Sequence, residues 1–216
     1  MWKRFSIEFP MLDNYKVILW DFDGVLMDSN STRDFGFEKV LVNYPKDSVD
    51  QLMVFHRKNG GLSRYVKFRY FFENILNQKV TDEEIIELSN EFSIIMKSLL
   101  MNPQLIIEDS MNFVKLQFKK GMRMHIVSGS DQEELRYLCK ELQIARYFIS
   151  IHGSPTPKNQ LVKNLIEANE YIKEEVVLIG DSINDFEAAK TNNIGFNGYN
   201  NEDIKDFGKY IHEFPS

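Results

Sequence analysis

Cysteine is almost missing from the 216-residue chain. The single Cys139 rules out an internal disulfide, and its setting in RYLCKEL reads as a helix in which the thiol packs as a small apolar group. Long apolar runs are missing too. Nowhere do roughly 18 apolar residues follow one another, and the opening MWKRFSIEFPML carries no small-residue cleavage site, so the expectation is a cytoplasmic, unanchored protein with no membrane partner. Positive charge is in deficit: 26 Lys and Arg against 32 Asp and Glu leave a net charge of −6. That balance argues against a nucleic-acid partner, which calls for a basic footprint. It leaves an anionic substrate possible, because a metal and a few local cations can reverse the field inside a cleft. There is no internal repeat and no low-complexity linker, and a 43% hydrophobic, 27% charged composition is that of a folded globular protein.

What is present centres on VILWDFDGVLMD, residues 17–28. Val17, Ile18, Leu19 and Trp20 form a continuous apolar run of the kind found in a strand buried on both faces of a parallel sheet. The run ends in Asp21 and Asp23, which the alternation of an extended chain sends to the same side, while Phe22 points the other way. Gly24 then lets the backbone turn sharply. Two neighbouring carboxylates repel and are costly to desolvate, so the pair calls for a cation or a shared proton. Oxygen ligands favour Mg²⁺. Taken alone, the same residues also make an ordinary helix-capping turn.

Residues before Val17 read as a lead-in ending in the turn-like Asp13-Asn14. From Asn30 to about Leu100 the pattern is helical throughout: Phe35, Phe37, Val40 and Leu41 fit one face, and Tyr65, Phe68, Phe72, Ile75 and Leu76 fit another. Thr81 with Glu84 is a capping-box start for a further helix, which Asn102-Pro103 ends. Beyond Pro103, helix and strand alternate. Helices are expected over 104–120, 131–142, 159–170 and 183–191, and strands over 122–127, 147–151, 176–179 and 194–196, with Gly121 closing the first of these helices. This pattern predicts an α/β fold: a Rossmann-like parallel sheet core, residues 1–28 plus 103–216, interrupted by an all-helical insert over residues 29–102. Ligands of such sheets gather at the carboxyl ends of the strands.

Three further strand ends carry polar groups. Val127 gives way to Ser128-Gly129-Ser130-Asp131, a hydroxyl and backbone N–H groups at a helix start, which suits a phosphate and equally suits plain helix entry. Ile179 gives way to Gly180-Asp181-Ser182-Ile183-Asn184-Asp185, where Asp181 and Asp185 lie four apart on one helix face and repel unless a cation or donors intervene. Between these two, Ser154-Pro155-Thr156-Pro157 presents Lys158 at a helix N-terminus, where it does nothing for its own helix and is better placed to neutralise an anion. His56, His125 and His152 lack metal-ligand spacing and read as structural.

Together DFDGVLMD, VSGSD, Lys158 and GDSINDFEAA resemble, in order, the four motifs of the haloacid dehalogenase superfamily of phosphohydrolases, and the helical insert resembles that superfamily's C1 cap. The resemblance implies that Asp21 is the nucleophile forming an aspartyl-phosphate, and that Asp23 is the general acid and base. It implies Mg²⁺ bound by the Asp21 carboxylate, the Asp23 backbone carbonyl and Asp181, with Asp185 in support, and phosphoryl oxygens held by Ser128 and Lys158 beside Gly129. The lysine element departs from the frequent Gly-Lys-Pro, since Gly153 is followed by Ser154 and Lys158 comes after Pro157. Gly60-Gly61-Leu62-Ser63-Arg64 resembles the specificity loop of β-phosphoglucomutase-like members, which makes Arg64 and Lys67 the expected substrate-binding cations, with Arg69 close behind. The implied function is a Mg²⁺-dependent phosphatase acting on a small phosphorylated metabolite such as a sugar phosphate. The alternatives are a phosphosugar mutase with the same core residues and a non-catalytic binding protein on the same fold.

Overall fold

The computed structural model describes residue 12 and residues 14–215; the expected lead-in before Val17 falls largely outside the described residues. Six strands form one all-parallel sheet in the order β3-β2-β1-β4-β5-β6: β1 Val17–Trp20, β2 Arg123–Asp131, β3 Ser150–Ser154, β4 Val176–Gly180, β5 Gly195–Tyr199 and β6 Lys209–Ile211. The strand order reverses at β1, and in such sheets the reversal opens a crevice for a ligand. All four β1 side chains are buried because the sheet is covered on both faces. Ile18 and Trp20 join the larger core cluster, where Trp20 packs against Phe113 and Phe214, while Val17 and Leu19 pack with Leu161, Val162 and Ala188 on the other face. Each such side chain contributes about 1.5–3 kcal/mol by leaving water.

Between β1 and β2 lie only helices, as expected: α1 Asn30–Val40, α2 Lys46–Lys58, α3 Arg64–Tyr70, which runs on as a π-helical turn over Phe71–Ile75, and α4 Asp82–Leu99. Thr81 and Glu84 form the full capping box at the start of α4. The α1 face differs from expectation at one residue. Phe37, Val40 and Leu41 are buried, but Phe35 is half exposed, because two helical residues apart is nearly opposite on the cylinder. Gly36 takes the inward position, where a Cβ would sit 2.5 Å from Met96 and 2.8 Å from Phe92 of α4.

The two chain crossings between sheet and insert hold one another: Met27 and Ile106 form an antiparallel bridge, Ile107 N donates to Leu26 O (3.0 Å) and Asp28 N to Leu105 O (2.7 Å). That pairing delays the next helix. α5 is Glu108–Lys119, not 104–120, and Pro103–Leu105 is a short 3₁₀ turn. Gly121, with φ +78°, follows its C-cap, as predicted. The remaining helices are α6 Gln132–Glu141, α7 Lys158–Ala168 and α8 Ile183–Asn192. β3 starts later than expected, since Ala145–Tyr147 is a 3₁₀ turn and the strand runs into His152-Gly153-Ser154 at the register set by β2. β5 extends to Tyr199, and the short edge strand β6 was not foreseen.

Candidate active site

The carboxyl ends of β1, β4 and the α7 N-terminus meet. Asp21, Asp181 and Asp185 each bring a carboxylate oxygen to within 4.8 Å of the others. Lys158 Nζ, the first residue of α7, stands within 2.7 Å of Asp21 Oδ1, at ion-pair distance though not aligned as a hydrogen bond, and also ion-pairs with Asp185 Oδ1. Asp185 Oδ2 accepts from Ser182 N (3.0 Å) and Ser182 Oγ (2.6 Å), so one carboxylate both caps α8 and holds the lysine. Gly24, with φ +74°, passes so close that a Cβ there would lie 1.9 Å from Asp181 Oδ2. Just after β5, Asn201 donates to the Asp181 carbonyl (2.7 Å) and Asn200 to that of Gly24 (2.9 Å).

Three buried or half-buried carboxylates face one ammonium. Burial first, then Asp185, push the Asp21 carboxyl up to about 7 despite Lys158. Burial, Asp21 and Asp185 together raise Asp181 well above the usual range. Burial opposes the charge on Lys158, but Asp185 and Asp21 outweigh it and raise its pKa, so it stays an ammonium ion. An all-oxygen donor set with this excess of negative charge fits a hard divalent cation such as Mg²⁺.

Asp23 is set apart from that cluster. Its Oδ1 accepts from Ser29 Oγ (2.5 Å) and Arg33 Nε (3.0 Å), and its Oδ2 accepts from Ser130 Oγ and, at 3.4 Å, from Arg33. Burial alone would raise its pKa, yet Arg33 and the two hydroxyls hold the carboxyl below its ordinary range. Ser128 is buried, and its Oγ accepts from Ser130 N (3.1 Å), which leaves its hydroxyl proton available.

The insert lies directly on these loops. A Cβ on Gly129 would come within 2.3 Å of Gly61 O, and one on Gly61 within 2.7 Å of Ser182 Oγ and 2.8 Å of Asn184 Cβ. Only glycines allow that approach. Tyr65 OH donates to Asp131 Oδ2 (2.8 Å), whose other oxygen caps α6. Arg64 is buried and already engaged: NH1 donates to Glu134 Oε2 and Ser93 Oγ, both at 2.7 Å, and its guanidinium stands 4.4 Å from the Phe92 ring centroid. Arg33 holds the other oxygen of Glu134, a fully buried side chain of α6. Lys67 is buried beside His56 and Gly60, whereas Arg69 is partly exposed and pairs with Glu73 and Asp82. His125 is buried and hydrogen-bonds Ser150 and Tyr171, and the half-buried His152 hydrogen-bonds Ser150. Cys139 is buried, and burial lifts its thiol to about 12.

Thus Asp21, Asp181, Asp185 and Lys158 converge, Asp23, Ser128 and Gly129 line the same strand-end crevice, and Arg64 faces Glu134. The spacing did not point to Ser29, Arg33 or Glu134, which act through tertiary contact. Ser130 lay within a motif already singled out, and the alternation that selects Ser128 selects it too.

A family model described as haloacid dehalogenase-like hydrolase matches residues 18–198. The chain belongs to that family. Among curated relatives, a phosphoglycolate phosphatase of Colwellia psychrerythraea is 24% identical over 211 residues, covering 91% of this chain and 92% of that protein. A phosphorylated carbohydrates phosphatase of Thermotoga maritima is 25% identical over 189 residues, covering 82% and 81%. Among solved structures, β-phosphoglucomutase from Clostridium difficile shares the fold with a TM-score of 0.75 at 14% identity, covering 92% of this chain and 91% of that one. No helix among the described residues is long and apolar enough to cross a membrane.

Proposed function

We propose that this haloacid dehalogenase-like hydrolase is a Mg²⁺-dependent phosphatase that cleaves a small phosphate monoester, of the sugar-phosphate or phosphoglycolate kind its relatives are named for, through a phosphorylated Asp21. The observation that carries the reading is the buried meeting of Asp21 after β1, Asp181 and Asp185 after β4, and Lys158 at the start of α7, at the sheet's reversal point. Asp21 attacks phosphorus, forming an Asp21 O–P bond as the ester P–O bond breaks. Asp23, which must first take up a proton as the ester binds, hands it to the departing alkoxide and then, ionised again, takes one from the water that frees phosphate. Its two hydroxyl partners and Arg33 hold it in the ionised form that the second half requires. Ser128 donates its free hydroxyl proton, and Gly129 its backbone N–H, to phosphoryl oxygens. Lys158 neutralises charge building on those oxygens, which is where most of the rate in phosphoryl transfer arises. Asp21, the Asp23 carbonyl, Asp181 and Asp185 would hold Mg²⁺, which supplies positive charge to the reacting phosphoryl group and keeps Asp21 ionised.

In this reading residues 1–28 plus 103–216 form the catalytic core and residues 29–102 a cap that excludes water, and the enzyme acts in the cytoplasm. Chelation should abolish turnover of an aryl phosphate and Mg²⁺ restore it, and Asp21→Asn should remove it altogether. Near-wild-type activity in that variant overturns the mechanism. Following free phosphate with hexose phosphates separates the routes, since isomerised product without phosphate release would make the enzyme a mutase.

A further inference from the structure

The hydrogen bonds of Asp23 continue into the interior. Ser29 is the N-cap of α1, yet its hydroxyl goes to Asp23 and not to its own helix. Arg33, one turn further on, lays its guanidinium along the same carboxylate, Nε on Oδ1 at 3.0 Å and Nη2 on Oδ2 at 3.4 Å. Its remaining nitrogen, Nη1, pairs with Glu134 Oε1. Glu134 is itself held at both ends: Arg64 Nη1 donates to its Oε2 (2.7 Å), and its backbone N–H donates to the Asp131 side chain that caps α6 (3.0 Å). Arg33, Arg64 and Glu134 are all buried, so water does not compete for these bonds.

A guanidinium is a rigid plane, so fixing one nitrogen directs the opposite edge. With Nη1 on Glu134, the edge carrying Nε and Nη2 is aimed at Asp23. Among the described residues Glu134 is the one carboxylate besides Asp23 that pairs with Arg33, and without it that edge is anchored at Asp23 alone. The start of α6 thereby reaches both oxygens of the Asp23 carboxylate. Ser130, two residues before the helix begins, donates to Oδ2, and Glu134 acts on Oδ1 through Arg33.

We infer that Glu134 is a positioning residue for the reaction: by fixing the Arg33 guanidinium it holds the Asp23 carboxyl at the angle from which a proton reaches the departing oxygen. This rests on the phosphatase reading above and adds a residue to it. Glu134 touches neither the substrate nor the reacting atoms, and its effect passes through Arg33. As the Asp21 O–P bond forms and the ester P–O bond breaks, the leaving oxygen departs with the electron pair and takes the proton from Asp23. A basic leaving group needs that proton, whereas 4-nitrophenolate leaves without it. A misdirected Asp23 is therefore felt in proportion to the basicity of the leaving group. A general loosening of the fold is felt alike by every ester.

The test measures kcat/KM, which reports the steps up to departure of the leaving group, for the full chain with Mg²⁺ on substituted phenyl phosphates from 4-nitrophenyl to unsubstituted phenyl. The wild type should depend only weakly on the leaving group. Glu134→Gln, which keeps the shape and loses the charge, should lower phenyl phosphate relative to 4-nitrophenyl phosphate by roughly tenfold or more, a part of what a general acid contributes. Arg33→Lys, too short of nitrogens to span both carboxylates, should shift the ratio likewise, and the double variant should shift it no further than either alone. Tyr65→Phe removes a different bond between insert and core, that to Asp131, and should leave the ratio where it is. An unchanged ratio in folded Glu134→Gln, or an equal shift in Tyr65→Phe, overturns the inference. If Glu134→Gln fails to fold, Glu134→Asp, which keeps the charge and withdraws it by one methylene, is read in its place by the same criterion. If Asp23→Asn steepens the dependence and the Glu134 variants do not, this inference falls and the phosphatase reading stands. If Asp21→Asn still turns over these esters, or Asp23→Asn keeps the wild-type dependence, the phosphatase reading itself falls.

Discussion

The core and the insert face each other with opposite imbalances. At the strand ends, three carboxylates surround one ammonium, which leaves an excess of negative charge. In the insert, Arg33, Arg64 and Lys67 meet only Glu134 and Asp23, which leaves an excess of positive charge. The difference also separates chemistry from selection: the acidic side is built from residues at strand ends, fixed by the sheet, whereas the basic side is built from helices that reach the core through a few polar contacts.

The comparison breaks most visibly if the one cation of the acidic side is removed. Lys158→Met should lower kcat on an aryl phosphate by about 100- to 1000-fold, as for loss of one preorganised donor to a developing oxyanion; a loss under tenfold, measured by steady-state kinetics, would mean that Lys158 serves only the fold. On the basic side, Glu134→Ala leaves two buried guanidinium groups without their shared partner, a loss of about 3–5 kcal/mol. For a chain of this size that lowers the melting temperature by roughly 10 °C. The exposed pair of Lys46 with Asp50 is the control, and Lys46→Ala should leave the melting curve where it is.

A smaller effect separates the two sides by pH. With Asp21 raised from 3.8 to about 7, the metal-free native state binds a proton that the unfolded chain has already lost within that window. Stability should therefore fall as pH rises from about 4 to 7. Asp21→Asn should melt with the wild type near pH 4 and above it by a few degrees at pH 7.5, and Mg²⁺ should close the gap by stabilising the wild type alone. Equal melting temperatures of the metal-free proteins across that range would mean that Asp21 carries no excess of negative charge.

Much of the acidic side was legible in the sequence, because strand ends announce themselves: an apolar run, then a polar residue, then a glycine or a helix cap. Asp21, Ser128, Lys158, Asp181 and Asp185 each stood at such a place, and the sheet needed only to be parallel for them to meet. The basic side was less legible. Nothing local marks Arg33 as the partner of Asp23, ten residues away across a turn, or Glu134 as the meeting point of two helices of the insert. Glu134 looks like the first-turn acid of any helix. Arg64 and Lys67 were visible as a basic helix start, but only packing shows one paired and the other not. β2 and β5 run on past their apolar residues, and at the two edges β3 was placed a few residues early and β6 was not foreseen, because β3 carries polar residues and β6 is only three residues long, so apolar patterning is weak there.

The most direct test is to quench the enzyme with acid during turnover of an ester labelled in its phosphoryl group and map the retained label. The label should lie on the peptide containing Asp21, and none should be retained by Asp21→Asn. Label on any other side chain, or continued turnover by Asp21→Asn, would contradict the account.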